Sequence, residues 1–217
     1  MKSRRQWVLV LFMLTVTASL AFAADGSSLK PPSGSQVALV VFEDMECPYC
    51  AHAYPLVWQA ATAAHIPVVL HDFPLTIHPW AFEAAVYARF FDTKNTKTRN
   101  TGNDFRKFIY ENQPQITPDN LRQYAQKFAD ANHIILPDAI DPQGKLKAEV
   151  KADLDLGNTC HLSQTPTIFI VAGGHASPTF VEVVNLDNMS AMIQEMQKRA
   201  GPAPSPTPAR RATAKVH

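Results

Sequence analysis

The feature that most restricts the fold is a continuous apolar run, "VALVVF" at 37–42, followed at once by a helical segment. Runs of this length, rich in β-branched residues, form buried strands. We place the end of this strand at Glu43. The segment "CPYCAHAYPLVWQAATAAH" (47–65) predicts a helix with Pro48 in its first turn and a kink at Pro55. A second apolar run at 66–74 completes a strand–helix–strand unit, which predicts two parallel strands.

The rest of the chain predicts several helices and then two more strands. The helical segments are 80–91, 104–113, 117–133 and 145–158, and a polar link at 92–102 separates the first two. The runs 167–174 and 179–184 predict a hairpin, and 185–200 predicts an amphipathic helix. The predicted class is therefore α/β, a mixed sheet flanked by helices, with a helical insertion at about 79–160.

The N-terminal segment predicts a signal peptide that is removed, and the C-terminal segment predicts a disordered tail. Three basic residues precede an apolar stretch at 7–20 and the sequence Ala21-Phe22-Ala23, with small residues at the cleavage site, which is the layout of a secretory signal peptide. The stretch is shorter than the roughly 20 residues that span a bilayer. We expect cleavage after Ala23 and export, by either the Sec or the twin-arginine route. The Pro-rich segment 201–217 is expected to be a disordered tail.

The charge balance argues against nucleic acid as a partner. Three basic residues lie in the leader and three in the tail, so residues 24–200 carry 14 basic against 19 acidic residues, a net charge of −5. A nucleic-acid-binding domain needs a basic surface, and this domain is acidic.

Two of the three cysteines, Cys47 and Cys50, have the spacing Cys-x-x-Cys, which occurs in redox pairs, in metal sites and by coincidence. Here the motif follows a buried strand and opens a helix. Unsatisfied backbone N–H groups and the helix dipole favour an anion at this position. We therefore expect Cys47 to be an exposed nucleophile of low pKa and Cys50 to be a shielded resolving thiol.

A second signal is Thr165-Pro166, directly before the strand "TIFIV". Proline cannot donate to a sheet, so it belongs at the start of a strand. Together with the Cys-x-x-Cys motif, it predicts a cis peptide bond.

The stretches "VVFEDMECPYC", "HDFPLTIHPWAFEAA" and "LSQTPTIFI" resemble the DsbA-like branch of the thioredoxin superfamily, over residues 36–198. The resemblance implies a thioredoxin-like fold and a catalytic pair formed by Cys47 and Cys50, and it implies no cofactor. It also implies that Thr165 and Pro166 form a loop beside the pair that binds an extended substrate segment through backbone hydrogen bonds.

Some positions depart from relatives or tune the site. Val41 stands where thioredoxin and related enzymes often have a buried acid that assists proton transfer. Glu46 should oppose thiolate formation, although salt screens an exposed charge. Pro48 and Tyr49, between the cysteines, are similar to oxidising and isomerising members, and Thr165 is closer to the isomerases. Few residues precede the first strand, so we expect no dimerisation domain and a monomer.

The third thiol, Cys160, leaves three interpretations open. It is a buried inert thiol, it exchanges with the pair, or it joins the pair, His52 and His161 in binding a soft metal. We interpret His71 and His78 as structural, and Trp58 and Trp80 as core aromatics.

The sequence thus predicts a periplasmic or otherwise exported thiol–disulfide oxidoreductase. It would pass a Cys47–Cys50 disulfide to unfolded or reduced exported proteins and be recycled by a membrane or soluble redox partner. An isomerase or reductase would use the same residues. A metal-binding, copper-handling module is the alternative from another class.

Overall fold

A computed structural model describes residues 24–173, 176 and 179–201. The predicted signal peptide, and all of the predicted tail except Gly201, lie outside these residues. The described chain folds into a mixed four-stranded sheet of order β2-β1-β3-β4 with helices packed on it, so the predicted α/β class is confirmed. The strands are β1 Val37–Glu43, β2 Val68–Asp72, β3 Thr167–Ala172 and β4 Phe180–Glu182.

Strand β1 is central in the sheet and positions the Cys-x-x-Cys segment. It pairs parallel with β2, Leu39 opposite Val68, as predicted, and antiparallel with β3, Val40 opposite Phe169. All seven of its residues are buried, which explains the uninterrupted apolar run. Because β1 is fixed on both sides, the loop that leaves its end has a fixed starting point.

Six α-helices are found in the described chain. They are α1 Pro48–Ala64, α2 Ala81–Asp92, α3 Thr101–Asn112, α4 Leu121–Ala131, α5 Lys145–Thr159 and α6 Met189–Ala200. Helix α1 continues through Pro55. Helices α2 to α5 all lie between β2 and β3 in the chain, as an insertion would. None of the helices described is long and apolar enough to cross a membrane.

Strand β1 ends at Glu43 as predicted, and this carboxylate is paired inside the protein. Two predicted helix boundaries were wrong. Helix α3 begins at Thr101 rather than Asp104, since the Asn100 side chain caps it by accepting from Asn103 N at 3.1 Å. Helix α4 begins at Leu121 rather than near 117, because the residues before it form a turn. Strands β2 to β4 are also shorter than predicted.

The core has three parts. One face of the sheet packs on α1 and α6, with Val57 and Ile193 among the buried residues. The other face forms an apolar cluster around Phe42 and Phe169. The helical insertion has its own aromatic core, and at Gly102 α3 closely approaches α2, where a Cβ would lie 1.8 Å from Asp92 Oδ1. Only glycine allows this contact.

Candidate active site

The loop between β1 and α1 is fixed by the buried carboxylate of Asp44. Its oxygens accept from Glu46 N at 2.8 Å, from Leu75 N at 2.8 Å and lie 2.6 Å from His78 Nδ1. His78 therefore joins the loop after β2 to the loop before α1, which fits its interpretation as structural. Both loops are stabilised by one side chain that has no exposed surface.

Cys47 is the N-cap residue of α1, and the expectation that it is exposed was wrong. Its exposed fraction is 4 %, whereas Pro48 is exposed and Tyr49 is 74 % exposed. Gln113, which follows α3, donates from Nε2 to the carbonyls of Met45 at 2.8 Å and Cys47 at 3.0 Å. The helical insertion therefore contacts the Cys-x-x-Cys segment directly.

The two cysteines have opposite acidities. A hydrogen bond from the Cys50 thiol, with the backbone N–H groups of Cys50 and Tyr49, lowers the pKa of Cys47 to about 5, although burial acts the other way. Burial raises the pKa of Cys50 well above its ordinary value, and the neighbouring Cys47 raises it further. At neutral pH the reduced site therefore holds a thiolate at Cys47 and a thiol at Cys50.

The Thr165–Pro166 peptide bond is cis, as predicted, and lies beside Cys47. The Cys47 Sγ is 3.2 Å from the carbonyl oxygen of Thr165, to which the thiol form donates. A groove of about 300 Å³ opens here, lined by Tyr49, His52, Gln164, Thr165, Pro166, Ile168, Val183, Val184 and Leu186. The structure thus brings the two separate sequence motifs together.

Glu46 is turned away from Cys47. Its Oε2 accepts from the backbone N–H of Trp80 at 2.7 Å, directly before α2, and burial raises its pKa. The helix N-terminus partly compensates its charge. Trp80 is buried as predicted, whereas Trp58 is only half-buried and lies beside a surface cavity.

The family Thioredoxin_4, described as thioredoxin, matches residues 33–200. The chain belongs to this thioredoxin family. Among curated proteins, it is 25 % identical over 179 residues to the Na(+)/H(+) antiporter NhaA 3 of Salinispora tropica, a match that covers 82 % of this chain and 26 % of that protein. The chain thus spans about a quarter of the length of this relative.

Solved structures with the same fold include DsbA-like proteins. Wolbachia pipientis α-DsbA1 has a TM-score of 0.62 at 15 % identity, covering 79 % of this chain and 90 % of that one. A periplasmic thioredoxin-like protein from Salmonella enterica serovar Typhimurium has a TM-score of 0.57 at 19 % identity, covering 76 % and 86 %. The fold of the chain is therefore DsbA-like.

Cys160 lies apart from the pair. Its exposed fraction is 0 %, it packs in the cluster of Phe42 and Phe169, and its Sγ is 3.9 Å from Ser28 Oγ of the N-terminal segment. The pair belongs to a different cluster, with the helical insertion. The contacts fit a buried inert thiol and do not support exchange with the pair.

The metal alternative gains no support from the geometry. His52 and His161 are both exposed. In the chain, His52 follows Cys50 and His161 follows Cys160. In residues 24–173, 176 and 179–201, no group of three or more His, Cys, Asp or Glu side chains is arranged to bind a metal.

Sequence reasoning missed a buried ionic cluster behind Cys50. Arg106 is 2 % exposed and lies 2.9 Å from Glu43, 3.3 Å from Asp72 and 3.2 Å from Asp92. Tyr110 donates to Glu43 Oε2 at 3.1 Å. A signal was available, because Gly102, Arg106 and Tyr110 are spaced by four and share one face of α3. His71, interpreted as structural, joins the edge of this cluster through Asp153 at 2.7 Å.

Proposed function

We propose that the protein is an exported protein thiol–disulfide oxidoreductase in which Cys47 and Cys50 are the catalytic pair. The observation that carries the proposal is the position of Cys47. It has a pKa of about 5, and its Sγ is 3.2 Å from the carbonyl oxygen of Thr165, one of the residues that line the groove. A stable thiolate in this position is a good leaving group, which favours donation of the disulfide over its reduction.

The reaction proceeds in two exchanges and needs no cofactor. A substrate thiolate attacks Cys47 Sγ of the Cys47–Cys50 disulfide, the mixed disulfide forms at Cys47, and Cys50 leaves and takes up a proton. A second substrate thiolate then attacks the substrate sulfur of the mixed disulfide, and Cys47 leaves as a thiolate. The substrate is oxidised by two electrons and the pair is reduced by two.

The substrates we propose are reduced or unfolded exported proteins that bind as extended segments. Thr165 and Pro166 offer backbone groups to such a segment. Exposed apolar side chains flank the groove, with Tyr49 at 74 % and Val184 at 89 % exposed, and they would contact apolar substrate residues. Pro48, Tyr49 and Glu46 would tune the reactivity of the pair.

The wider setting is also a proposal. A signal peptide at 1–23 would direct export, a domain at 24–200 with a helical insertion at about 79–160 would carry the activity, and 201–217 would form a tail. The periplasmic name of the Salmonella neighbour supports a periplasmic location. We propose a monomer that is recycled by a membrane or soluble redox partner.

The test is a redox titration of residues 24–201 carrying Cys160→Ala, in glutathione buffers, followed by thiol trapping. Donation of the disulfide predicts a single two-electron transition near −120 mV, the region of strong oxidants. A transition near −270 mV would indicate that the protein is a reductase and not a disulfide donor. The absence of a transition would remove the redox proposal.

A further inference from the structure

An aromatic groove lies on the surface between α1 and α3, separate from the groove beside Thr165. We call it the α1–α3 groove. It measures about 550 Å³, and its lining includes the rings of Tyr54, Trp58 and Tyr110. The two grooves share no lining residue. The proposed thiol–disulfide exchange therefore gives the α1–α3 groove no role.

The rings of the α1–α3 groove form one continuous aromatic surface. The Tyr54 ring lies 6.1 Å from that of Trp58 and 5.0 Å from that of Tyr110, between ring centroids. The Tyr54 hydroxyl donates to the carbonyl oxygen of Asn103 at 3.0 Å, which fixes the ring between the two helices. Tyr54 and Trp58 are half-buried, so part of each side chain is open to a ligand. Aromatic grooves of this kind bind proline-rich segments in the polyproline II conformation.

The tail of this chain begins with a segment that suits such a groove. In 201–208, "GPAPSPTP", every residue is a proline or directly precedes one. Proline fixes its own φ and restricts the residue before it to extended backbone. We call 201–208 the proline segment. Its sequence favours polyproline II, so it has little conformational freedom to lose on binding.

The tail leaves the domain near one end of α1. Gln197 in α6 donates to the carbonyl oxygen of Ala64 at 3.0 Å, and Gly201 lines a surface cavity with His65, the C-cap of α1. Trp58 lies seven residues before His65, which is about 10 Å along the helix axis. The seven residues after Gly201 span about 22 Å as polyproline II. The proline segment is therefore long enough to reach the rings.

Charge also favours the tail as the occupant. The α1–α3 groove is lined by two acidic side chains, Asp104 and Glu111, and by one basic side chain, Lys107. Arg210 and Arg211 follow the proline segment, and the tail contains no acidic residue. The domain that carries the groove is itself acidic. The attraction acts between exposed groups, so salt should weaken it.

We propose that the proline segment binds in the α1–α3 groove of the same molecule, with its prolines on the rings of Tyr54 and Trp58 and with Arg210 and Arg211 at the acidic side chains. The inference is independent of the proposed redox function. Because the tail is covalently attached, its effective concentration at the groove is in about the millimolar range, so even a weak contact would keep it bound.

The experiment follows the indole N–H resonance of Trp58 in ¹⁵N-labelled protein. Residues 24–217 contain two tryptophans, and Trp58→Phe assigns their resonances. Trp80 is the internal control, because it is buried and does not line the groove. The reference without a tail is the chain 24–201, which contains every helix and strand of the described fold.

The Trp58 resonance should differ between the chains 24–217 and 24–201, and the Trp80 resonance should not. In 24–217, the combined substitutions Pro204→Ala, Pro206→Ala and Pro208→Ala should move the Trp58 resonance towards its position in 24–201. Salt at about 1 M, where the Debye length is about 3 Å, should act in the same direction.

A second measurement uses the synthetic peptide GPAPSPTPARR, the sequence of 201–211. Added to the chain 24–201, it should shift the Trp58 resonance in the direction that the attached tail does. Lys107→Glu removes the basic side chain of the groove and should tighten peptide binding by about two- to five-fold, the effect of one exposed charge. Lys151→Glu is the matched control, because Lys151 is exposed on α5 and does not line the groove.

Three results would overturn the inference. Identical Trp58 resonances in 24–217 and 24–201 would mean that the tail does not occupy the groove. A difference that grows with protein concentration would mean that the tail of a second copy binds there instead. A difference that the three proline substitutions leave unchanged would mean that the proline segment is not the part that binds. None of these measurements involves the cysteine pair, so their failure is distinct from a failure of the proposed function.

Discussion

The same side chain, cysteine, occurs in two regions of this molecule with opposite environments. At Cys47 a thiol, two backbone N–H groups and a helix N-terminus surround the sulfur, and its pKa falls to about 5. At Cys160 the neighbours are apolar apart from the Ser28 hydroxyl, and burial raises the pKa. Both residues are almost fully buried, so burial alone does not decide reactivity. The polar groups around the sulfur do.

The largest effect that separates the two regions is on activity. Cys47→Ala should reduce oxidation of a dithiol peptide to the rate without protein, because no mixed disulfide can form. Cys160→Ala should leave the rate unchanged and cost about 1 kcal/mol of stability from lost packing. Initial rates of peptide oxidation measure the effect of each variant on activity, and urea unfolding measures its effect on stability. Loss of activity in Cys160→Ala would contradict the separation of the two regions.

The next effect is on the ionic cluster behind Cys50. Arg106→Met should destabilise the protein by about 3–5 kcal/mol, because it leaves buried carboxylates without a cation. The matched control is Arg99→Met, which removes an exposed pair with Asp104 at 2.9 Å and should cost less than about 1 kcal/mol. Urea unfolding of both variants measures the difference. Equal values would mean that Arg106 does not stabilise this region.

A third prediction concerns pH. The surroundings of Cys47 lower its pKa in the folded protein from the ordinary value to about 5, so the thiolate stabilises the reduced fold. This contribution is complete above about pH 9 and is lost as pH falls towards 5. The free energy of unfolding of the reduced protein, relative to the oxidised protein, should therefore rise between pH 5 and pH 9. Cys47→Ser should not show this rise, and a flat difference in the parent protein would contradict the lowered pKa.

The smallest effect is at Gln113. Gln113→Ala removes two hydrogen bonds to the loop around Cys47 and should cost about 0.5–1.5 kcal/mol. It should also speed alkylation of Cys47, because the loop that places the buried thiol is then held by two fewer hydrogen bonds. Gln115→Ala is the control, since that side chain is exposed. Unchanged alkylation in Gln113→Ala would mean that the insertion does not shield the thiol.

Local patterns in the sequence predicted the parts of the fold that are decided by neighbouring residues in the chain. The run at 37–42 predicted a central strand, and Thr165-Pro166 with the cysteine pair predicted the cis bond. These features depend on periodicity and on the chemistry of proline. The resemblance to the DsbA-like branch was also confirmed, by the family match and by the shared fold.

The rest depends on contacts between distant segments. Glu43 looked like the polar end of a strand, but it is buried because Arg106, 63 positions later, neutralises it. Cys47 was expected to be exposed, but it is buried, and Gln113 of the distant insertion donates to its carbonyl oxygen. The spacing of Gly102, Arg106 and Tyr110 marks one face of α3, but it does not show that the partner of Arg106 lies 63 positions earlier, so one sequence alone does not predict the pairing.

The most direct measurement is a pH titration of the thiolate absorbance of the reduced protein, residues 24–201 with Cys160→Ala. We expect one inflection near pH 5 that disappears in Cys47→Ser. An inflection near the ordinary value of about 8.5 would contradict the claim that the surroundings of Cys47 create a stable thiolate.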